Sequence, residues 1–455
     1  MKVIAFLPAK SSSERVFSKN KQVLNGEPLF LRSLKILLKC KLIDEVVFDT
    51  DSDEFIDSAD YLPITIMKRD SSYATNKTDG HMLFMNEVNH YPDADIYVQL
   101  LCTSPFIKPE TIDQGIKLLI DSKQHDSALL MKKDKMYVWE ALDTSSTNES
   151  GIAESSIKCE PLYDKFHIPN SKDLPFTYIE SMGLYIIKHD AAKALKRRYG
   201  DHPFFIYGEP EEYIDINYPE DLKFAEIYAK GLLAEESNRF NLIKHFVTSA
   251  SLSDLLDDMK IEKNEECGCV LSGFRCNLDN EKVMGRAYTL KLRKLKSNED
   301  FRGIYKALDS YKRIASNDII VVENEESKYA YFGDLNTRLA IRSGAVATVV
   351  NGATRDLSET IALNYPVFSK GYNAQDVRRR ATTESINKPI NIDGHTITPK
   401  DLIFIDSCAM VVIYQKHEKE VLERVIKTFK NEKDIVSDIL DNQDVNDICN
   451  NRGSF

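Results

Sequence analysis

Two stretches of this 455-residue sequence bring together residue types that could do chemistry. The first runs from Lys10 to Asn20 and holds three cations and four serine hydroxyl groups. Cations neutralise a polyphosphate, while hydroxyl and backbone N–H groups orient it. The glycine spacing of a Walker loop is absent. The stretch therefore predicts either a phosphate-binding loop of another kind or an ordinary solvated loop.

The second stretch is a cation next to a carboxylate, Arg355 and Asp356, after the apolar run 345–350. Such neighbours most often form a surface ion pair of small energetic value. Upstream, however, residues Gly333–Asn336 open a predicted helix, and the free N–H groups of a helix N-terminus can bind an anion. An anion-binding site is the alternative that this spacing raises.

The eight cysteines are spread along the chain, and only Cys267, Cys269 and Cys276 lie close together. No second cysteine pair and no paired histidines complete a zinc-binding set, so three small buried or loop thiols are favoured over a zinc site. Dispersed cysteines in a large chain are typical of reduced thiols, and we expect a cytoplasmic protein.

Short apolar runs must position the first stretch. They alternate with helical patterns, which predicts a parallel α/β sheet with ligands at the carboxyl ends of the strands. The runs are 3–9, 45–50, 64–67, 95–101 and 127–131, and the helical patterns are 28–40, 79–91, 109–122 and about 219–234. Because residues 235–250 carry no clear strand and a capped helix start follows at Ser253, we predict domains at 1–235 and 251–455 with a linker at 236–250.

The second half is richer in short strands with glycine turns. Strands are predicted at about 285–292, 318–322, 345–350, 366–369, 402–405 and 409–414, with a helix near 334–343 and a charged helical tail from 417 to 449.

Charge excludes two classes of function. Lysine and arginine number 60 against 71 aspartates and glutamates, a net charge of −11. A general nucleic-acid or anionic-membrane binder needs net or clustered positive charge, and no apolar run reaches the roughly 18 residues that span a bilayer. We expect small-molecule partners, with no nucleic acid and no membrane.

An ordered set of motifs over about residues 1–232 resembles the sugar-acid cytidylyltransferases, the family of CMP-sialic acid and CMP-3-deoxy-octulosonate synthetases. The motifs are PAKSSSERVFSKN (8–20), NGEPL (25–29), Thr50-Asp51, RDSSYATNKTDG (69–80), CTSP (102–105), ESMGLYII (180–187) and DINYPEDL (215–222). The resemblance implies a Rossmann-like nucleotidyltransferase domain with a mostly parallel sheet. It also implies CTP as substrate and Mg²⁺ as cofactor.

The same resemblance implies roles for individual residues. Lys10 and Lys19 would contact the CTP phosphates, with Lys19 catalytic. The other implied positions are Ser13 and Asn20 for the nucleotide and its loop, Arg69, Thr103 and Ser104 for the nucleotide and acceptor pocket, and Asp215 with Asn217 for the metal. Asn217 replaces the family's more usual aspartate, and a neutral amide is a weaker Mg²⁺ ligand. Leu101 and Glu180 also depart from the sialic acid enzymes, which indicates a different acceptor acid, smaller or amino-bearing.

Residues of about 251–415 resemble the RraA-like fold family, an α/β/β/α-type domain found in metal-dependent 4-hydroxy-4-methyl-2-oxoglutarate aldolases, oxaloacetate decarboxylases and non-enzymatic ribonuclease regulators. The matching segments are GRAYTL, DIIVVEN, YFGDLNTRLAIRSGAVATVVNGATRDLSE, VFSKGYN and TPKDLIFID. By this resemblance Asp356 would hold Mg²⁺ or Mn²⁺ largely through water, and Arg355 would bind the pyruvyl oxygen and stabilise an enolate. The backbone of Gly333, Asp334, Leu335 and Asn336 would clamp a carboxylate. One acidic position of the family is lost in the stretch Ile405-Asp406-Ser407-Cys408-Ala409.

These motifs predict a cytidylyltransferase that activates a 2-keto-3-deoxy acid, fused to a pyruvate-type aldolase or decarboxylase. Two alternatives stay open. In the first alternative, only the N-terminal domain is catalytic and the RraA-like domain is an oligomerisation or regulatory module. In the second, the transferase uses another nucleotide such as UTP. Because members of both families commonly self-associate, as dimers and as trimers or hexamers, we expect a homo-oligomer.

Overall fold

The computed structural model describes residues 1–13, 18–75, 77–142, 158–441 and 443–452. Part of the predicted phosphate-binding loop, residues 14–17, lies outside them. The chain divides into two compact units. The first comprises Met1–Gln22 and Pro28–Ala225, and the second comprises Val23–Glu27 and Glu226–Phe455.

The N-terminal part alternates strands and helices. Its strands are β1 (Val3–Pro8), β2 (Val23–Leu24), β3 (Glu27–Pro28), β4 (Glu45–Thr50), β5 (Thr65–Lys68), β6 (Ile96–Leu100), β7 (Ser127–Asp134), β8 (Trp139–Ala141), β9 (Cys159–Pro161), β10 (Thr177–Lys188) and β11 (Pro203–Ile206). Its α-helices are α1 (Leu29–Lys39), α2 (Asp53–Ala59), α3 (Gly80–His90), α4 (Pro109–Asp121), α5 (His189–Leu195) and α6 (Pro219–Ile243). Short 3-10 helices lie at Lys19–Lys21, Ser71–Tyr73, Ser171–Asp173 and Pro210–Tyr213.

Seven of these strands form one sheet in the order β11-β7-β10-β6-β1-β4-β5. β1 lies parallel to β4 and β6, and β10 is antiparallel to both of its neighbours. Every residue of β1 and β6 is buried, as expected for strands covered on both faces. The predicted α/β fold with a mostly parallel sheet is confirmed.

In the part of the chain that the structure describes, the second unit is built on a nine-stranded mixed sheet. The C-terminal strands are β12 (Gly268–Ser272), β13 (Arg275–Cys276), β14 (Val283–Lys294), β15 (Asp318–Asn324), β16 (Ala347–Thr354), β17 (Val367–Tyr372), β18 (Ala381–Ile386), β19 (Ile390–Ile392), β20 (His395–Ile397), β21 (Leu402–Ile405) and β22 (Ala409–Ile413). The helices are α7 (Ser249–Lys263), α8 (Asp334–Ser343), α9 (Leu357–Ala362), α10 (Glu418–Leu440) and α11 (Val445–Arg452), with a 3-10 helix at Phe301–Lys312. Strands β14, β15, β16 and β17 are parallel neighbours.

The helix predicted at about 219–234 is longer in the structure, where α6 continues to Ile243. No proline interrupts the extension, and its residues Phe240 and Ile243 are buried in an apolar cluster with Leu252 and Val421. The predicted linker 236–250 thus contains the end of α6 and the start of α7. Within the described residues, no helix combines the length and the apolar character that crossing a membrane requires.

Candidate functional site

The loop after β1 is tied to the residue that follows β4. The Ser11 backbone N–H and hydroxyl both donate to the Asp51 carboxylate, at 2.8 and 2.7 Å. The Asn20 side-chain amide donates to the Lys10 carbonyl oxygen at 3.0 Å. Asn20 therefore holds the backbone of this loop, and Ser13 lies at the end of its described part.

Lys19 meets residues from far along the chain. Its ammonium donates to the Ile216 carbonyl oxygen at 2.8 Å and lies 3.5 Å from the Asn217 amide oxygen. The Asn217 amide nitrogen in turn donates to Asp215 at 2.6 Å. Three residues that the sequence analysis assigned to phosphate and metal binding are thus brought together.

The turn after β6 completes this cluster. The Thr103 carbonyl oxygen accepts a hydrogen bond from the Ile216 N–H at 2.8 Å, and the Ser104 hydroxyl lies 3.5 Å from Asp215. A β-carbon added to Gly183 would lie 2.2 Å from that hydroxyl oxygen, so only glycine allows this approach. Ser104 and Asp215 are therefore positioned by close backbone packing.

The donor set here fits a metal ion only in part. Carboxylate oxygens suit Mg²⁺, and Asp215 supplies one carboxylate. Asn217 presents its NH₂ to Asp215 and its oxygen to Lys19, so it is not arranged as a ligand. Within the described ranges, no group of three or more His, Cys, Asp and Glu side chains is placed to hold a metal. Any ion at Asp215 would take its other ligands from substrate phosphates.

Arg69 lies apart from this cluster. Its guanidinium makes three hydrogen bonds of 2.7 to 2.9 Å to the carboxylate and carbonyl oxygens of Asp49, and its side chain is 2% exposed. Arg69, the residue after β5, is therefore a buried side chain that is hydrogen-bonded to β4. Its predicted contact with nucleotide stays a prediction.

Behind this pair lies a buried acid that sequence reasoning missed. Glu87 of α3 accepts a hydrogen bond from the Gln99 amide at 2.7 Å and is fully buried. Burial, together with the neighbouring Asp49 charge, raises the pKa of Glu87 well above its usual range. The protonated form of Glu87 is therefore favoured over the charged form at this buried position. The sequence signal for this buried acid was a glutamate on the inward face of a helical pattern.

An open cleft of about 700 Å³ adjoins Asp215. Its lining combines cations, aromatic rings and this carboxylate, and includes Lys132, Lys133, Tyr207, Tyr213, Asp215 and Phe224. Sequence reasoning missed the two lysines. The sequence signal for these lysines was their position directly after the apolar run of β7, at the carboxyl end of the strand.

In the second unit, Arg355 and Asp356 occupy the tight connection between β16 and α9. Asp356 has the left-handed φ of 56°, which is uncommon for a non-glycine residue. The Arg355 guanidinium lies 3.6 Å from Asp356 and 2.9 Å from Asp376. No sequence pattern indicates Asp376 as a partner of Arg355, because Asp376 lies on a separate segment about twenty residues further along the chain.

The segment Gly333–Asn336 faces this pair. The Asp334 backbone N–H donates to the Asp356 carboxylate at 3.1 Å. A β-carbon on Gly333 would lie 2.4 Å from the same carboxylate oxygen, so glycine is required here for space. The helix N-terminus that was predicted to clamp a substrate carboxylate therefore already binds the carboxylate of Asp356.

A cleft of about 920 Å³ brings all predicted residues of this second site together. It is lined by Gly333, Asp334, Leu335, Asn336, Arg355 and Asp356, and further by Glu359, Asp376 and the arginines 338, 342 and 378. Asp356 is partly exposed, which fits a metal bound largely through water.

Two other sequence observations have structural accounts. Asp406, in the segment where a family acid is lost, accepts hydrogen bonds of 2.8 Å from the Ser249 N–H and hydroxyl at the start of α7.

Cys267 and Cys269 are buried, Cys276 is half-buried, and burial raises the pKa of all three thiols, that of Cys269 to about 11. Among the described residues, these thiols belong to no group of three or more side chains placed to hold a metal ion.

Comparison with known proteins gives two family matches. Residues 4–150 match the family described as cytidylyltransferase, and residues 249–412 match the family described as aldolase/RraA.

Three curated relatives match parts of this chain. Protein DlpA of Legionella pneumophila is 31% identical over 197 residues, which are 43% of this chain but only 31% of DlpA. A "Putative 4-hydroxy-4-methyl-2-oxoglutarate aldolase" of Halalkalibacterium halodurans is 30% identical over 33% of this chain and 68% of its own length. The CMP-N,N'-diacetyllegionaminic acid synthase of Legionella pneumophila is 29% identical over 26% of this chain and 53% of its own. The chain therefore spans less than a third of DlpA and about half of the synthase.

Proposed function

We propose two activities for this chain, which belongs to the aldolase/RraA family through residues 249–412. Its residues 4–150 match the cytidylyltransferase family. The first unit transfers CMP from CTP to a sugar acid of the 2-keto-3-deoxy class and releases pyrophosphate. The second unit is a metal-dependent lyase that makes or breaks a carbon–carbon bond next to a 2-oxo acid.

The observation that carries the first proposal is the meeting of Lys19, Asp215 and Ser104 at one edge of the sheet. In the transfer, a hydroxyl oxygen of the acid bonds to the α-phosphorus of CTP and the hydroxyl proton passes to solvent. The bond to the bridging oxygen breaks as pyrophosphate leaves. The Lys19 ammonium would neutralise charge on the phosphates, and catalysis would be positioning and electrostatics. Mg²⁺ held by Asp215 would supply further charge neutralisation.

Pyrophosphate release tests this proposal. Purified protein is incubated with CTP, Mg²⁺ and a panel of 2-keto-3-deoxy acids, with UTP as competitor. Lys19→Ala should lower turnover by about a hundredfold, the usual effect of losing a charge-stabilising group. Lys21→Ala is the matched control, because Lys21 forms a surface ion pair with Glu54 and should leave turnover unchanged. The proposal fails if no acid releases pyrophosphate or if Lys19→Ala matches wild type.

The observation that supports the second proposal is the cleft in which Arg355, Asp356 and the Gly333 segment converge. Arg355 would bind the oxygen of a pyruvyl group and stabilise the negative charge that develops there as the adjacent bond breaks. A divalent metal at Asp356 would act as a Lewis acid on the same group.

Pyruvate release from 4-hydroxy-2-oxo acids, and decarboxylation of oxaloacetate, test the lyase. Both should require Mg²⁺ or Mn²⁺ and should disappear in Arg355→Ala and Asp356→Ala. Arg424→Ala is the control, since Arg424 lies on the exposed face of α10 and pairs with Glu262.

The alternative that the second unit is a binding module is raised by one observation. Arg355 is already held by Asp376 at 2.9 Å. A module would show no metal-dependent turnover at all, and Arg355→Ala would leave the self-association of the chain unchanged.

The two activities would form a sequence. Addition of a pyruvyl enolate to an aldehyde gives a 4-hydroxy-2-oxo acid, which is the class of acid that the first unit would activate. With pyruvate, an aldehyde and CTP, Arg355→Ala should release no pyrophosphate, yet should do so when the acid is supplied ready-made. Lys19→Ala should fail in both cases.

A further inference from the structure

Lys133 stands at the end of β7 with its ammonium against aromatic rings. Its Nζ lies 3.9 Å from the ring centroid of Phe176, 5.9 Å from that of Tyr178 and 6.0 Å from that of Tyr207. Lys133 and Tyr178 face each other across the antiparallel pair of β7 and β10. The ammonium therefore lies within 6.0 Å of three ring centroids.

This cation keeps its charge available. Among the described residues no carboxylate forms an ion pair with Lys133, whereas the neighbouring Lys132 pairs with Asp134 at 2.9 Å. Cation–π contacts are weaker than a buried ion pair and do not cancel the charge. Lys133 is thus a positioned cation that can still meet an anion.

The cleft that Lys133 lines also contains Asp215, at which the phosphates would gather. An acid that enters this cleft must bring its own carboxylate, and a carboxylate in a partly apolar cleft requires a cationic partner. Glu180, the acid noted on the sequence, does not meet this need. It accepts a hydrogen bond from the Tyr185 hydroxyl and is not among the described residues that line the cleft.

We propose that Lys133 is the specificity-determining residue that binds the carboxylate of the acceptor acid, with the rings of Phe176, Tyr178 and Tyr207 holding its ammonium for that purpose. This inference rests on the proposed cytidylyltransferase function. It assigns to the cleft an acceptor whose carboxylate lies near the end of β7 and whose reacting hydroxyl points toward Asp215.

The test compares Lys133→Met with Lys135→Met. Lys135 also lies over the Phe176 ring, at 5.0 Å, but donates to the Lys172 carbonyl oxygen and is not among the cleft-lining residues. Lys133→Met should raise the KM for the acid at least tenfold while the KM for CTP stays at the wild-type value. Lys135→Met should change neither. Lys133→Arg, which retains the cation, should recover most of the loss.

Binding of a carboxamide analogue of the acid adds a second measurement. If Lys133 had only a structural role, its replacement would not change the preference for the acid over the amide. Wild type should bind the acid at least tenfold more tightly than the amide in equilibrium dialysis, and Lys133→Met should bind both alike. A rise in the KM for CTP alone, equal preference for acid and amide in wild type, or equal effects of the two methionine variants would each overturn the inference. Dialysis does not need turnover, so absence of pyrophosphate release in wild type refutes only the proposed reaction.

Discussion

Replacing Glu87 by glutamine should flatten the dependence of the first unit's stability on pH. Glu87 is fully buried beside the Asp49–Arg69 pair, and burial raises its pKa well above the usual range. Glutamine is neutral and of similar size, and it can still accept the hydrogen bond from Gln99. The substitution therefore removes a titrating group and keeps the packing.

The magnitude follows from proton linkage. In the unfolded chain Glu87 ionises near its ordinary pKa of 4.5, whereas in the folded protein it does so only at a much higher pH. Between these two values the folded state holds one more proton than the unfolded state, so stability falls as pH rises. One proton corresponds to about 1.4 kcal/mol of unfolding free energy per pH unit. The contribution is fully present below pH 4.5 and is lost as pH rises through the folded-state pKa.

Urea unfolding at pH 6 and pH 7 measures this effect. The single tryptophan, Trp139, lies in the first unit and serves as the fluorescent reporter. Wild type should lose more stability than Glu87→Gln over this interval, by up to about 1.4 kcal/mol. Glu54→Gln is the control, because Glu54 is an exposed partner of Lys21 and should keep the wild-type slope. Equal slopes in wild type and Glu87→Gln would show that the buried carboxyl is ionised, and the argument would be refuted.

Two further substitutions probe the second unit. Gly333→Ala should lower lyase turnover about a hundredfold, because its β-carbon would lie 2.4 Å from the Asp356 carboxylate and must displace it by about 1 Å. Gly231→Ala, whose β-carbon meets nothing within 4 Å, should leave turnover unchanged. Arg286→Met should lower the unfolding free energy by about 3–5 kcal/mol in urea titrations, since it leaves two largely buried carboxylates without their cation. Arg424→Met, at an exposed pair, should cost about 1 kcal/mol or less.

Strand-end motifs explain why much of the first site could be predicted. Lys10, Asp51 and Ser104 each follow a buried run of apolar residues, and the parallel strands of such runs end at one edge of the sheet. The order of elements therefore determines which polar residues meet. The helix α8 was likewise predicted at its observed bounds, because a glycine precedes it and another follows it.

Side-chain pairing explains what could not be predicted. Arg69 resembles a ligand-binding cation on the sequence, and only the three-dimensional approach of Asp49 shows that its guanidinium is buried. Strand β10 was missed because its first half is largely exposed and lacks the apolar alternation of a core strand. The partners of Arg355 and Lys133 come from distant segments, which no local pattern reveals.

The two proposals for the second unit differ in what the Arg355 guanidinium can still bind. Asp376 contacts one terminal nitrogen, and Asp356 lies near Nε. A guanidinium has five N–H donors in a fixed plane, so two carboxylates do not exhaust it. They fix its plane instead, and an oxygen of a 2-oxo acid can accept from the donors that remain. On this argument Asp376 positions the arginine for a ligand, and the ion pair at 2.9 Å is compatible with a lyase as well as with a binding module. Metal-dependent turnover is therefore the measurement that separates the two.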